Sequence, residues 1–199
     1  IAWGPGFVLI LWVVQTHPSS WNTSQWFLNI AVHLWAFRLA WSIGSRNIGA
    51  EEDWRYAQWR REWGKWVYIR SYLQVFMLQG FFMLVIALPI IMLNSEVTLR
   101  SDSVALLVPG TVIFLYGLIM ESVADLQKQR FKRDPKNRNK FIRHGLWSIS
   151  RHPNYFGEAV LWWGIWLISI NLPWVLVGIG VVSPILISWL VRYVSCVPF

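Results

Sequence analysis

Cysteine is almost absent: Cys196 stands alone in 199 residues, which excludes an internal disulfide framework and a thiolate metal cage. Histidine is nearly as sparse. His17, His33, His144 and His152 include no pair at the three- or four-residue spacing that lets one helix face present two ring nitrogens to a metal, so no metal is expected. No Gly-x-Gly-x-x-Gly run follows a strand, which excludes a Rossmann domain. Charge is scarce as well, at 14% of residues with only ten of them acidic, and together with sixteen Trp this excludes a disordered tail or a solvated helical scaffold. An initiator Met is also missing. The chain opens at Ile1 inside an apolar stretch with no basic segment or small-residue cleavage pattern ahead of it, and it stops at Phe199 where a polar exit from a membrane should begin. The expectation is a single domain over residues 1–199, truncated at both ends.

What is present is apolar surface. With 55% hydrophobic and 17% aromatic residues the composition is that of an integral membrane protein. A helix needs roughly 20 apolar residues to cross a hydrocarbon core, and six runs approach that size: Ile1 to Val14, Trp26 to Ile43, Tyr72 to Leu93, Val104 to Met120, Tyr155 to Ile170 and Trp174 to Tyr193. Unpaired backbone groups are costly in lipid and no run alternates like a barrel strand, so the predicted fold is all-α, a polytopic transmembrane helix bundle. Pro89, Pro109 and Pro184 lie inside runs and read as kinks. Gly157, Gly164, Gly178 and Gly180 offer close helix contacts. The segment Glu51, Glu52, Asp53, Trp54, Arg55, Tyr56 and then Trp59 to Trp63 reads as an amphipathic interfacial helix.

Basic residues set the orientation. Fifteen of the eighteen fall on the loops after spans two and four, whereas the opposite loops hold only Arg100. The positive-inside rule makes the rich face, and both chain ends, cytosolic. Asn22, Thr23 and Ser24 form a glycosylation triplet on the other side, a pattern frequent by chance. Nine basic residues between Lys128 and Arg151 suit anionic lipid heads or a phosphorylated cofactor, although orientation alone also accounts for charge without particular residues. Nucleic acid is not expected, because no binding module accompanies the charge.

The later part of that loop carries more than charge. Arg151, His152 and Pro153 precede Asn154, Tyr155 and Glu158, placing a helix N-terminus at the cytosolic edge with Asn154 and Glu158 on one face, able to bind an amide or a ribose hydroxyl. The plainer reading is a helix cap with an acidic first turn. Arg38 sits inside span two near its cytosolic end, where snorkelling would explain it, and Asn29 and His33 lie deeper. Gln74, Gln79, Glu121 and Asp125 are further polar groups in or near spans and imply a wet or ligand-lined cavity. Glu121 and Asp125 read either as an ion-paired surface, worth little, or as the edge of a cofactor pocket.

Trp35 with Arg38 and Leu39, then Arg46, Glu52, Asp53, Arg55 and Tyr56, then Leu78 to Gly80, then Ala124, Asp125 and Gln127, and finally Ser150 to Glu158, together resemble a bacterial branch of the steroid 5-alpha-reductase family. The resemblance covers nearly the whole chain. Arg151, His152, Pro153 and Tyr155 are also similar to isoprenylcysteine and phospholipid methyltransferases, whereas Asn154, Gly157 and Glu158 are similar to the element that helps hold NADPH in the reductases. The resemblance implies a seven-helix reductase of the bacterial inner membrane, acting with NADPH on a steroid-like or other lipid. It implies a cofactor site of Arg38, Arg46, Asp125, Lys132, Asn154, Tyr155 and Glu158, with Arg143 and Arg151 added, and substrate contacts at Trp35 and Gln79. Trp35 replaces the reductases' substrate-contacting tyrosine, and no proton donor is assigned. The rival enzyme is an S-adenosylmethionine-dependent lipid methyltransferase; a non-catalytic membrane interaction protein is the third reading.

Overall fold

The computed structural model describes residues 3–15, 21–47, 54–95, 98–101, 103–137 and 140–194. Among them every regular element is helical and none is a strand. The main helices are α1 (Trp3–Val14), α2 (Thr23–Asn47), α3 (Trp54–Trp63), α4 (Val67–Arg70), α5 (Leu78–Ile86), α6 (Leu88–Ser95), α7 (Val104–Arg133), α8 (Pro153–Ile168), α9 (Trp174–Gly180) and α10 (Val182–Trp189). Among the described residues three stretches are long and apolar enough to cross a membrane: Gln58–Ile86, Val104–Arg133 and Trp174–Tyr193. Helix α1 is apolar but shorter. Helix α2 has 25 residues but carries Asn29, His33 and Arg38, and α8 has only 16.

Local chemistry explains the boundaries. Asn22 Oδ1 accepts from the Gln25 amide at 2.9 Å while Gln25 Oε1 accepts from the Asn22 amide at 3.0 Å, a reciprocal cap that starts α2. The glycosylation triplet is therefore a helix start. Pro153 opens α8 at its first turn, where a missing N–H costs nothing. Helix α7 ends with Arg130, Lys132 and Arg133 against its negative dipole end, and Asp134, extended before Pro135, stops it. Two of the three prolines accompany breaks, the helix being interrupted for a residue at Ala87 before Pro89 and at Val181 before Pro184, whereas α7 runs unbroken through Pro109. The expected interfacial helix and third span run together, α3 leading through Gly64, α4 and a π-helical stretch, Ser71–Met77, into α5. Glu51, Glu52 and Asp53 lie outside the described residues.

Helices α7 and α8 pack antiparallel along a glycine seam. A methyl group at Gly117 would stand 2.5 Å from Leu161 N, and one at Gly157 would stand 2.6 Å from Glu121 N, so only hydrogen fits. Gly110 and Gly164 extend the seam, whereas Gly178 faces open space. Phe7, Val32, Trp35, Ile90, Phe114, Leu161 and Trp162 fill the core where α1, α2, α6, α7 and α8 converge. At the end remote from the basic loop, Asn29 and Asn94 exchange side-chain hydrogen bonds, Asn171 donates to Ser24 Oγ at 2.9 Å, and Arg100 stacks 3.9 Å over Trp174. Gln74 does not line a cavity as expected; it is exposed.

Candidate functional site

The glycine seam brings the backbones of α7 and α8 together beside Glu121, and this approach assembles the site. Arg38 reaches across from α2. Its Nη1 lies 2.5 Å from Glu121 Oε1, and its Nη2 donates to Asp125 Oδ2 at 2.8 Å. Ser42, one turn beyond Arg38, donates to the same Asp125 oxygen at 3.0 Å, and Asn154 Nδ2 donates to Asp125 Oδ1 at 3.4 Å. Glu158, one turn after Asn154, is close enough to Arg38, Asp125 and Glu121 to interact electrostatically with all three. Arg38 therefore does not snorkel. It is clamped between two carboxylates whose side chains are 5% and 11% exposed, because α7 presents acids where a snorkelling chain would seek water. For the same reason Glu121 and Asp125 are not a solvated surface pair.

One guanidinium faces three carboxylates here, and two buried acceptors, Glu121 Oε2 and Asn154 Oδ1, have no hydrogen-bond partner. A buried oxygen without a donor costs about 1–3 kcal/mol, so the cluster has acceptors to offer to N–H or O–H groups. Asp125 also borders a cleft of about 340 Å³ lined by Ser45, Lys128, Gln129, Lys132 and Arg133. The acidic cluster thus adjoins a strongly basic rim.

The loop above the rim is held in place. Gly145, at φ +61°, turns against the Gln127 side chain, Leu146 N donates to Gln127 Oε1 at 3.0 Å, and Trp147 Nε1 donates to Ala124 O at 3.0 Å. Lys128 lies 5.1 Å over the Trp147 ring. Burial, then Lys128 and Arg151, push the His152 imidazole below its ordinary value, and the ring stacks 5.2 Å from Tyr155.

Of the residues expected to hold a cofactor, Arg38, Asp125, Asn154 and Glu158 come together and Lys132 joins Asp125 in the cleft. Tyr155 is half-buried beside His152; Arg143 and Arg151 are exposed on the loop. The Arg46 side chain lies outside what is described. Trp35 is fully buried, and Gln79 accepts from Trp3 Nε1 at 3.2 Å. Sequence reasoning weighed Glu121, four residues before Asp125, as the edge of a cofactor pocket or an ion-paired surface, and left Ser42 and Lys128 out of the site. The signal that finds Ser42 is the same spacing, four residues after Arg38.

A family model described as "Protein of unknown function (DUF1295)" matches residues 1–199. A protein named "Probable O-methyltransferase ustE", from Ustilaginoidea virens, is 38% identical over 63 residues, which are 32% of this chain and 22% of that relative. The matched stretch therefore spans under a quarter of the relative's length. No solved structure matches the chain.

Proposed function

This chain belongs to the DUF1295 family, and we propose that it is a membrane oxidoreductase that uses NADPH to reduce a carbon–carbon double bond conjugated to a carbonyl in a lipid. The observation that carries the reading is the union, through Asp125, of orphaned buried acceptors with a cationic cleft. A nicotinamide dinucleotide offers both halves of the complement, since its carboxamide and ribose hydroxyls donate hydrogen bonds and its phosphates are anionic. When bound, it supplies the hydride.

The chain's residues do the rest. Glu121 Oε2 and Asn154 Oδ1 accept from the ligand and fix its orientation. Arg38 holds Glu121 and Asp125 in place and offsets part of their charge, and Lys128, Lys132 and Arg133 attract the phosphates. The apolar packing of α1, α2 and α8 beneath the site excludes water. In this reading the chain crosses the bacterial inner membrane six times, with the basic face and the cleft in the cytosol.

A second reading, an S-adenosylmethionine-dependent lipid methyltransferase, is favoured by the name of the Ustilaginoidea virens relative. That cofactor also brings an ammonium and ribose hydroxyls for the acidic cluster, but it lacks phosphate and offers the Lys and Arg rim a single carboxylate. Titrating the solubilised protein with NADPH tests the first reading: Asn154→Ala and Glu158→Gln should each weaken binding about tenfold, the loss of one hydrogen bond. Unchanged affinity in both variants sinks it.

A further inference from the structure

A second concentration of positive charge stands on the stretch from Gln58 to Ile86, just before the apolar run that begins at Tyr72. Between Gln58 and Tyr72 lie Arg60, Arg61, Lys65 and Arg70, all exposed, against a single acid, Glu62, whose carboxylate accepts from Gln58 Nε2 at 2.6 Å. Aromatic rings are interleaved with these cations. Trp59 and Trp63, four apart on α3, stack at 5.2 Å and 9°, Lys65 Nζ lies 6.0 Å over the Trp66 ring, and Trp66 and Tyr68 are 55% and 85% exposed. No residue from Gly64 to Met77 is buried, so packing against the bundle does not account for them.

Depth decides what these side chains can meet. At the helical rise Arg70 stands about 3 Å and Lys65 about 10 Å outside Tyr72, and the headgroup layer on each side of the hydrocarbon is about 5–8 Å thick, so both charged ends reach it. On a straight helix Arg60 and Arg61 would stand about 16–18 Å outside Tyr72, clear of that layer. The helix is not straight. Gly64, at φ +48°, lies outside the right-handed helical region, so the axis turns there, and α3 is free of the span's direction. A soluble acidic partner or a nucleic acid would match the cations and leave the rings without a role. Indoles and phenols favour the headgroup layer, where one edge is wet and the other apolar.

We propose that α3, the corner at Gly64 and α4 form a docking surface for anionic phospholipid. Arg60, Arg61, Lys65 and Arg70 meet the headgroup phosphates, and Trp63, Trp66 and Tyr68 mark the boundary between headgroups and chains. The corner lays α3 back along the bilayer surface, which brings Arg60 and Arg61 to the depth of Lys65 and Arg70. This surface needs nothing from the cofactor reading and stands or falls apart from it.

The full chain in detergent is titrated with phosphatidylglycerol and with phosphatidylcholine of the same acyl chains, and bound lipid is counted by native mass spectrometry. Arg60→Gln with Arg61→Gln, and Lys65→Gln with Arg70→Gln, should each weaken phosphatidylglycerol about thirtyfold and leave phosphatidylcholine unchanged. Lys136→Gln with Lys140→Gln removes the same charge from the other basic loop and should leave phosphatidylglycerol bound as in the parent. Equal losses from all three pairs would reduce the effect to net charge and overturn the surface, as would no loss from the first two. Glycerophosphoglycerol, the headgroup without its chains, should bind far more weakly than the lipid; equal affinity would make this a soluble-anion site and overturn the proposal. Should a variant fail to fold, the parent is labelled with a photoreactive phosphatidylglycerol: adducts must fall between Gln58 and Tyr72, and adducts confined to residues outside that segment overturn the surface.

Discussion

Arg38 is the residue on which the site depends, because it is the cation that Glu121 and Asp125 both bind. Removing one partner of a buried ion pair leaves an uncompensated charge and costs about 3–5 kcal/mol, so Arg38→Met should lower stability by roughly that amount in denaturant titrations of the solubilised protein. Arg38→Lys keeps the charge but loses the planar fork that reaches two carboxylates at once; it should recover part of the stability and little of the NADPH affinity. A snorkelling arginine would tolerate both changes. The sequence displayed Arg38, Asp125, Asn154 and Glu158 as candidates, but the cross-helix pairing that joins them depends on tertiary contacts that no spacing along one helix encodes. Glu121 was visible as a neighbour of Asp125 and ambiguous for the same reason.

Among the elements, the α7 and α8 pair positions everything else. Gly157→Leu should drive the helices apart at Glu121, cost about 1–3 kcal/mol through overpacking, and abolish ligand binding, whereas Gly178→Ala, which meets open space, should melt as the parent does. Gln127→Ala should release the turn at Gly145, with a stability loss of about 1 kcal/mol and faster amide hydrogen exchange at Leu146. Helix positions were largely legible, since apolar runs and caps leave a strong local signal: Pro153 opens α8 as read, and Pro89 and Pro184 fall where the helical course is interrupted. The run from α3 to α5 was not, because one amphipathic segment and one apolar segment joined end to end look like two elements until the backbone between them is seen to stay helical. The glycine seam was only half visible. Gly157 and Gly164 could be read as contact points, but their opposites, Gly110 and Gly117, become meaningful only once α7 and α8 are known to be neighbours.

At the scale of the molecule, a chain of formal net charge +8 places three carboxylates beneath a basic rim, so the two ends of a bound ligand experience opposite fields. Phosphate attraction at an open cleft is screened by salt. NADPH affinity should therefore fall as sodium chloride rises from about 0.05 to about 0.5 M, where the Debye length shortens to a few ångströms, and Lys132→Ala should flatten that dependence. The reductase reading puts a phosphate-bearing nicotinamide nucleotide in the cleft beside Asp125. Its most direct test is calorimetric titration of the solubilised protein with NADPH and, separately, with S-adenosylmethionine. Saturable heat with NADPH that Asn154→Ala and Glu158→Gln diminish is the predicted result; saturable heat with S-adenosylmethionine and none with NADPH would contradict it.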